Sequence, residues 1–163
     1  MLQLVKKRLK EQKGMTLIEL LAVIVILGII SAIAIPSILG LIDNSKKDAH
    51  VANARQMINS AKLAVTGDSS LQPPDDKTPV YVTLKYLQDK GYIETVKDPD
   101  GKGYSAGDGS AGTSKPESGS YVMISSTSGK LSYSVYLTNG TRSIKDASGN
   151  PVPEDQLSRD NVR

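Results

Sequence analysis

One long helix dominates the structure that the hydrophobic pattern predicts. Residues 20–42 carry no formal charge and consist mainly of Leu, Ile, Val and Ala. As a helix they span roughly 34 Å, enough to cross the roughly 30 Å hydrocarbon core of a bilayer. Beyond them, apolar residues recur at alternating spacings of three and four, at Val51, Ala54, Ile58, Ala61 and Val65. That spacing marks one face of a helix, so we expect the helix to run from about Met15 to about Thr66, with an apolar stripe on its second half.

A shorter helix and a strand are predicted in the second half of the chain. Thr83 is placed to cap a helix over 84–90, and Gly91 is placed to end it in the left-handed conformation. Residues 131–138 alternate between apolar and polar side chains, which predicts a half-buried strand. The core candidates around the short helix are Leu84, Leu87, Tyr92 and Ile93.

Two-residue turns are predicted on both sides of this strand, at Ser128-Gly129 and at Asn139-Gly140. Flanking strands over 121–126 and 141–145 would complete an antiparallel meander of three strands. Three strands alone are marginally stable, so we expect the sheet to pack on the amphipathic half of the long helix. The predicted fold class is α+β, a long N-terminal α-helix under a small antiparallel sheet.

The chain is expected to divide into five segments. Residues 1–14 are basic, 15–42 form the apolar helix, and 43–67 form its amphipathic continuation. Residues 68–145 hold the short helix and the sheet, which together form a globular head. Residues 146–163 carry one glycine and two prolines among mainly polar side chains, so we expect a polar C-terminal loop or tail.

Composition argues against an enzyme. The chain has no Cys, which excludes disulfides, zinc–thiolate sites, iron–sulfur clusters and thiol nucleophiles. Its one histidine, His50, lies on the predicted long helix, where we expect it to be solvated. No set of nucleophile, base and orienting group emerges from the sequence. The chain is therefore expected to be structural and not an enzyme.

The net charge of +3 comes from one short segment. Residues 1–14 hold five basic residues and one acidic residue, whereas the other 149 residues hold 15 basic and 16 acidic residues. Basic residues before a single apolar helix place the N-terminus in the cytoplasm and the head outside. The nearly neutral remainder offers no basic face, so no direct nucleic-acid binding is expected.

A secretory signal peptide is the competing interpretation of the apolar segment. Residues 32–34, Ala-Ile-Ala, have the small-x-small form of a cleavage site before Pro36. The apolar run is longer than that of an ordinary signal, however. Glu19 also stands at its start, where drawing a carboxylate to the bilayer centre costs about 2.5–3.5 kcal/mol. These two features favour a retained helix.

Residues 13–21, Lys-Gly-Met-Thr-Leu-Ile-Glu-Leu-Leu, resemble the N-terminus of type IV prepilins. The resemblance implies cleavage after Gly14 by a prepilin peptidase and N-methylation of the new terminus, Met15. It also implies a role for Glu19 in subunit register and assembly, and a helix kink at Pro36. The 14-residue leader favours the Gram-positive or major-pilin branch of the family.

Glu19 has two physical interpretations. After cleavage, its carboxylate would lie about one helical turn from the amine of Met15, and the amine of a neighbouring subunit can neutralise it in a filament of packed helices. Alternatively, the carboxylate lies at the level of the lipid headgroups. The prepilin motif favours pairing, because ionisable groups within membranes are usually functional.

Residues 97–104 are similar to the Asp-Pro-x-Gly segment of the major pseudopilins of type II secretion, near which calcium binds. Asp98, Asp100 and Asp108 carry oxygen ligands of the kind that Ca²⁺ prefers. A proline-initiated turn explains the same residues without a metal, and Asp100 replaces the family's usual aromatic residue. We expect no cofactor, with Ca²⁺ as the alternative.

These features predict a subunit of a type IV pilus. As a membrane prepilin it would polymerise through its N-terminal helix into an extracellular fibre for adhesion and surface motility. The implied partners are further copies of the chain, the prepilin peptidase and N-methyltransferase, the assembly platform and minor pilins. The alternative is a competence or type II secretion pseudopilin, in a short filament for DNA uptake or protein export. A monomeric anchored binding module is disfavoured, because it does not explain Gly14 and Glu19 together.

Overall fold

The structure is a computed structural model that describes residues 16–163. The chain divides into two compact units, one that ends at Ile42 and one that comprises Asp43–Arg163. From here on we call the second unit the head; it is larger than the globular head predicted over residues 68–145. A single helix, α1, runs through Leu17–Gly67. A small antiparallel sheet follows it, so the predicted α+β fold class is confirmed.

The sheet of the head has six strands and one short helix beside it. The strands are β1 (Val80–Thr83), β2 (Ala111–Gly112), β3 (Tyr121–Thr127), β4 (Lys130–Thr138), β5 (Ser143–Ile144) and β6 (Val152–Pro153), and helix α2 (Leu84–Asp89) follows β1 directly. Their order in the sheet is β2-β1-β3-β4-β5, and β6 also pairs with β4. The predicted three-stranded meander, β3-β4-β5, is therefore one side of a larger sheet.

The core of the head lies between α1 and one face of the sheet. The predicted helical stripe is confirmed, because Ala54, Ile58 and Ala61 are fully buried. A row of valines crosses four paired strands, and each valine is at most 1% exposed. The row consists of Val82, Val122, Val135 and Val152. Helix α1 packs on the apolar face of the sheet and provides the second layer that a small sheet needs for stability.

Helix α2 is capped and ended as predicted. The Thr83 hydroxyl oxygen accepts the backbone N–H of Tyr86 at 3.3 Å. The N–H of Lys85 donates to the carbonyl of Ala106 at 2.7 Å. Gly91 follows the helix with φ of +76°. The first N–H groups of a helix have no partner within it, so these bonds attach the 106 region to the start of α2.

The two predicted turns have different outcomes. Ser128-Gly129 forms the two-residue connection between β3 and β4, with φ of 51° and 77°, and this prediction is confirmed. The prediction of a two-residue turn at Asn139-Gly140 is wrong, because four residues separate β4 from β5. The side-chain oxygen of Asn139 accepts the N–H groups of Thr141 at 3.0 Å and Arg142 at 2.7 Å. This Asx-type arrangement shapes the wider loop.

The C-terminal segment, residues 146–163, is not the loose polar tail that its composition predicts. Strand β6 lies within it, followed by two 3₁₀ turns, Glu154–Gln156 and Arg159–Asn161. Leu157 and Val162 are buried, and Val162 forms a bridge with β5. These apolar residues follow neither a helical nor a strand period, so their burial depends on contacts with distant parts of the chain.

Gly119 and Gly149 offer a matched test of how closely the loops of the head pack. Both have φ of +86°. A Cβ on Gly119 would lie 2.4 Å from the Cα of Gly107, whereas one on Gly149 would meet nothing within 4 Å. We expect Gly149→Ala to lower the free energy of unfolding by about 1 kcal/mol, from the left-handed backbone alone. Gly119→Ala adds overpacking, so we expect a loss of about 3 kcal/mol.

Urea unfolding of the full chain in detergent micelles, followed by circular dichroism, measures both losses. The wild type and the two variants are compared at one detergent concentration. Equal losses in Gly119→Ala and Gly149→Ala would contradict the close approach of the two backbone segments.

Candidate functional site

The first unit presents an apolar helical surface. Within the described residues, only α1 is long and apolar enough to cross a membrane, with a mean hydropathy of 2.9 over its best 18-residue window. Every large apolar side chain in residues 17–42 is exposed. Such a surface is unstable in water and must be covered by lipid or by other helices.

Glu19 lies at the N-terminus of this helix and takes part in a capping box. The N–H and the hydroxyl of Thr16 donate to Oε2 of Glu19 at 2.7 and 2.8 Å. The N–H of Glu19 donates in return to Oγ1 of Thr16 at 3.3 Å. A carboxylate has about four acceptor sites, so Glu19 keeps acceptor capacity beyond this cap.

Pro36 lies within α1, and the helix continues through it. Proline has no N–H to donate to the carbonyl four residues earlier. The carbonyl that loses its donor is that of Ala32, and the hydroxyl of the next residue, Ser37, donates to the neighbouring carbonyl of Ile33 at 3.4 Å. The helix is unbroken through residues 32–36. The kink at Pro36 stays a prediction.

The head holds a second cluster of polar groups, around His50, Asp98 and Asp100. Their side chains are 3%, 1% and 12% exposed. The His50 ring contacts Oη of Tyr104 through Nδ1 at 2.7 Å and Oδ2 of Asp100 through Nε2 at 3.1 Å. Burial, and then the neighbouring carboxylates, raise the pKa of Tyr104 to about 12, so it stays neutral. The prediction of a solvated His50 is wrong, because residues 98–104 cover this face of α1.

Asp98 is the most deeply buried carboxylate of this cluster. Its Oδ1 accepts the N–H of Asp100, and its Oδ2 accepts those of Lys102 and Gly103, each at 3.0 Å. Nδ2 of Asn139 donates to the same group at 3.1 Å. Burial alone would raise the pKa of Asp98, but the hydrogen bonds outweigh it and hold the pKa below its usual value. Asp98 is therefore ionised at neutral pH.

Asp100 lies among positively charged groups. Nζ of Lys46 is 3.3 Å from its Oδ1, and Nε of Arg142 is 3.3 Å from its Oδ2. Burial would raise the pKa of Asp100, but hydrogen bonds from His50 and Lys46 and the charge of Arg142 lower it further than burial raises it. Asp100 is thus a second ionised carboxylate that the chain itself neutralises.

Comparison with known proteins identifies the family. Residues 9–35 match the prokaryotic N-terminal methylation motif. The type II secretion system core protein G of Vibrio cholerae serotype O1 is 28% identical over 106 residues, which cover 60% of this chain and 72% of that protein. The competence protein ComGC of Halalkalibacterium halodurans is 30% identical over 97 residues, which cover 60% of this chain and 86% of that protein. The chain belongs to the type IV pilin-like family.

Membership of the type IV pilin-like family agrees with the geometry of α1. The methylation motif includes Gly14, Met15 and Glu19. Gly14 and Met15 lie outside the described residues, so their roles stay predictions. Members of this family are structural pilin and pseudopilin subunits. No solved structure matches the chain significantly.

The pilin-like head brings together only part of the predicted calcium ligand set. Ligand atoms of Asp98 and Asp100 lie with His50 within 4.8 Å of one another. Asp108 is not a member of this group, and its carboxylate accepts the N–H of Ser110 at 2.9 Å. The sequence did not indicate His50 or Arg142 as neighbours of the two carboxylates, because both contacts join parts of the chain that are distant in sequence.

Proposed function

We propose that this pilin-like chain is the structural subunit of a helical filament. It is cleaved after Gly14, methylated at Met15 and assembled through residues 17–42. The apolar surface of that segment, with Glu19 at its start, gives the strongest support. Lipid covers this surface before assembly, and helices of other subunits cover it in the filament.

The proposed location changes during assembly. The prepilin crosses the cytoplasmic membrane once, with its N-terminus in the cytoplasm, because the basic residues precede the apolar helix. The prepilin peptidase and N-methyltransferase act there, and the assembly platform and minor pilins then incorporate the mature subunit. The head faces outward in an extracellular fibre or at the cell surface.

Two uses of such a filament remain distinct proposals. The first is a surface pilus for adhesion and surface motility, the use that the sequence analysis put first. The second is a short pseudopilus for DNA uptake or protein export. The two relatives, a secretion system protein and a competence protein, favour the second use.

A deletion strain of the native host separates these two uses. We expect loss of the chain to lower DNA uptake or protein export at least tenfold, with surface spreading and adhesion unchanged, and expression of the chain from a plasmid to restore the lost process. Loss of spreading and of long surface fibres, with uptake and export intact, would instead favour the surface pilus. A strain unchanged in all four properties would contradict both uses.

A further inference from the structure

Residues 98–103, which we call the acidic turn, fold around a carboxylate much as a metal-binding loop folds around an ion. Backbone N–H groups from within the turn point inward at Asp98, which is almost fully buried. Two negative charges, those of Asp98 and Asp100, are concentrated here. Ionised groups at such a depth need charge compensation, which comes from a bound cation or from the protein itself.

The donor set of the acidic turn does not fit calcium. Ca²⁺ takes six to eight oxygen ligands. The groups that contact the two carboxylates are nitrogens: backbone N–H groups, the Asn139 amide nitrogen, His50, Lys46 and Arg142. The amide oxygen of Asn139 already accepts two backbone N–H groups of its own loop. A calcium ion would have to displace most of these contacts.

The chain places its own positive charges where an ion would act. Lys46, on α1, contacts one oxygen of Asp100, and Arg142, in the loop between β4 and β5, contacts the other. Arg142 also pairs with Asp43 on α1. A divalent ion in the same place would meet two fixed cations, and like charges a few ångströms apart repel strongly in a partly buried site.

The presence of His50 does not turn the cluster into a preformed transition-metal site. Its Nε2, the atom that faces the two carboxylates, is within hydrogen-bonding distance of Asp100. Its other ring nitrogen, Nδ1, is hydrogen-bonded to the hydroxyl of Tyr104. Metal binding would require Nε2 to leave Asp100, and Asp100 to leave Lys46 and Arg142.

We infer that Lys46 and Arg142 take the place of a divalent cation at the acidic turn. They join helix α1, the turn and the β4–β5 loop into one neutralised cluster. The head therefore folds without bound calcium and does not take up Ca²⁺ at Asp98 and Asp100.

Thermal unfolding of the full chain in detergent micelles tests this inference. Protein stripped of metal with EDTA is compared with protein in about 10 mM CaCl₂, a concentration above the dissociation constants of weak extracellular calcium sites. A third sample receives a small molar excess of ZnCl₂. We expect the Tm of the wild type to stay within about 1 °C in all three conditions, because a ligand that does not bind the folded state does not stabilise it.

Two substitutions are expected to create a calcium response that the wild type lacks. Lys46→Gln and Arg142→Gln each remove one of the cations, so we expect a lower Tm in EDTA and a rise of about 3 °C or more on adding CaCl₂. Lys47→Gln is the matched control, because Lys47 pairs with Asp43 at 3.0 Å and not with the acidic turn. We expect no calcium response from Lys47→Gln.

The half-exposed Lys46 keeps the test informative if Arg142→Gln does not fold. A wild-type Tm that rises with CaCl₂ or ZnCl₂ would overturn the inference. It would also be overturned if Lys46→Gln, although folded, responded to calcium no more than Lys47→Gln. Neither outcome bears on filament assembly, because all these measurements are made on the isolated subunit.

Discussion

Replacing Glu19 with alanine is expected to remove the chain from filaments while leaving cleavage after Gly14 largely intact. In the proposed filament the Glu19 carboxylate neutralises the amine of a neighbouring Met15. Its loss leaves that amine unpaired in an apolar surrounding, a change of about 3–5 kcal/mol for a buried ion pair. Repeated at every subunit contact, this cost prevents growth of the fibre.

The cap formed with Thr16 gives a second explanation that must be separated from pairing. Loss of a helix cap costs only about 1 kcal/mol. Glu19→Gln separates the two effects, because its amide oxygen still accepts the hydrogen bonds of Thr16 but carries no charge. We expect Glu19→Gln to fail in assembly as Glu19→Ala does.

The measurement is the ratio of processed subunit in the sheared surface fraction to that in the membrane fraction, by immunoblot. We expect both variants to lower this ratio at least tenfold. If Glu19→Gln assembled like the wild type, capping would explain the role of Glu19 and charge pairing would be wrong.

Replacing Gly14 with serine is expected to trap the full-length precursor in the membrane. Glycine has no side chain, so a protease can bind the backbone closely at this position, and serine introduces a side chain at the bond to be cut. Without cleavage no new amine forms at Met15, and assembly is lost as well. Mobility on gels of whole-cell protein reports the change directly.

Gly28→Ala is the matched control for this substitution. Gly28 lies on α1, and a Cβ there would meet nothing within 4 Å. We expect Gly28→Ala to be processed at the wild-type rate. Cleavage of Gly14→Ser at that same rate would contradict the assigned cut site.

The features predicted correctly from the sequence are those that depend on neighbouring residues. The stripe on α1 follows from the helical period, the cap at Thr83 from a hydroxyl before a helix, and the turn at Ser128-Gly129 from the conformations these residues tolerate. Each prediction requires only local geometry, which propensity and periodicity describe.

The features missed by the sequence patterns depend on contacts between distant segments. His50 is buried because residues 98–104 cover it, about fifty positions away along the chain. Residues 146–163 are ordered because Val152 extends a row of valines begun on β1 and Val162 reaches β5. The pair Asn139-Gly140 is typical of a tight turn. The amide oxygen of Asn139 instead accepts a hydrogen bond within a wider loop, and its amide nitrogen donates one to Asp98.

The candidate site divides in the same way. The role of Glu19 in assembly was predicted from the resemblance to the prepilin motif, and it stays a prediction. Of the three aspartates considered for calcium, Asp98 and Asp100 lie together because they belong to one turn, and Asp108 is not in their group. Their neutralisation by Lys46 and Arg142 was not predicted, because these cations come from α1 and from the loop after β4.

Intact-mass spectrometry of protein from sheared surface filaments of the native host, compared with protein from its membrane fraction, tests the central claim most directly. The account predicts a species that begins at Met15, is about 14 Da heavier than the unmodified sequence because of one methyl group, and is enriched in the sheared fraction. A precursor found only in membranes, or a chain in the medium that begins near Ile35, would contradict polymerisation through α1.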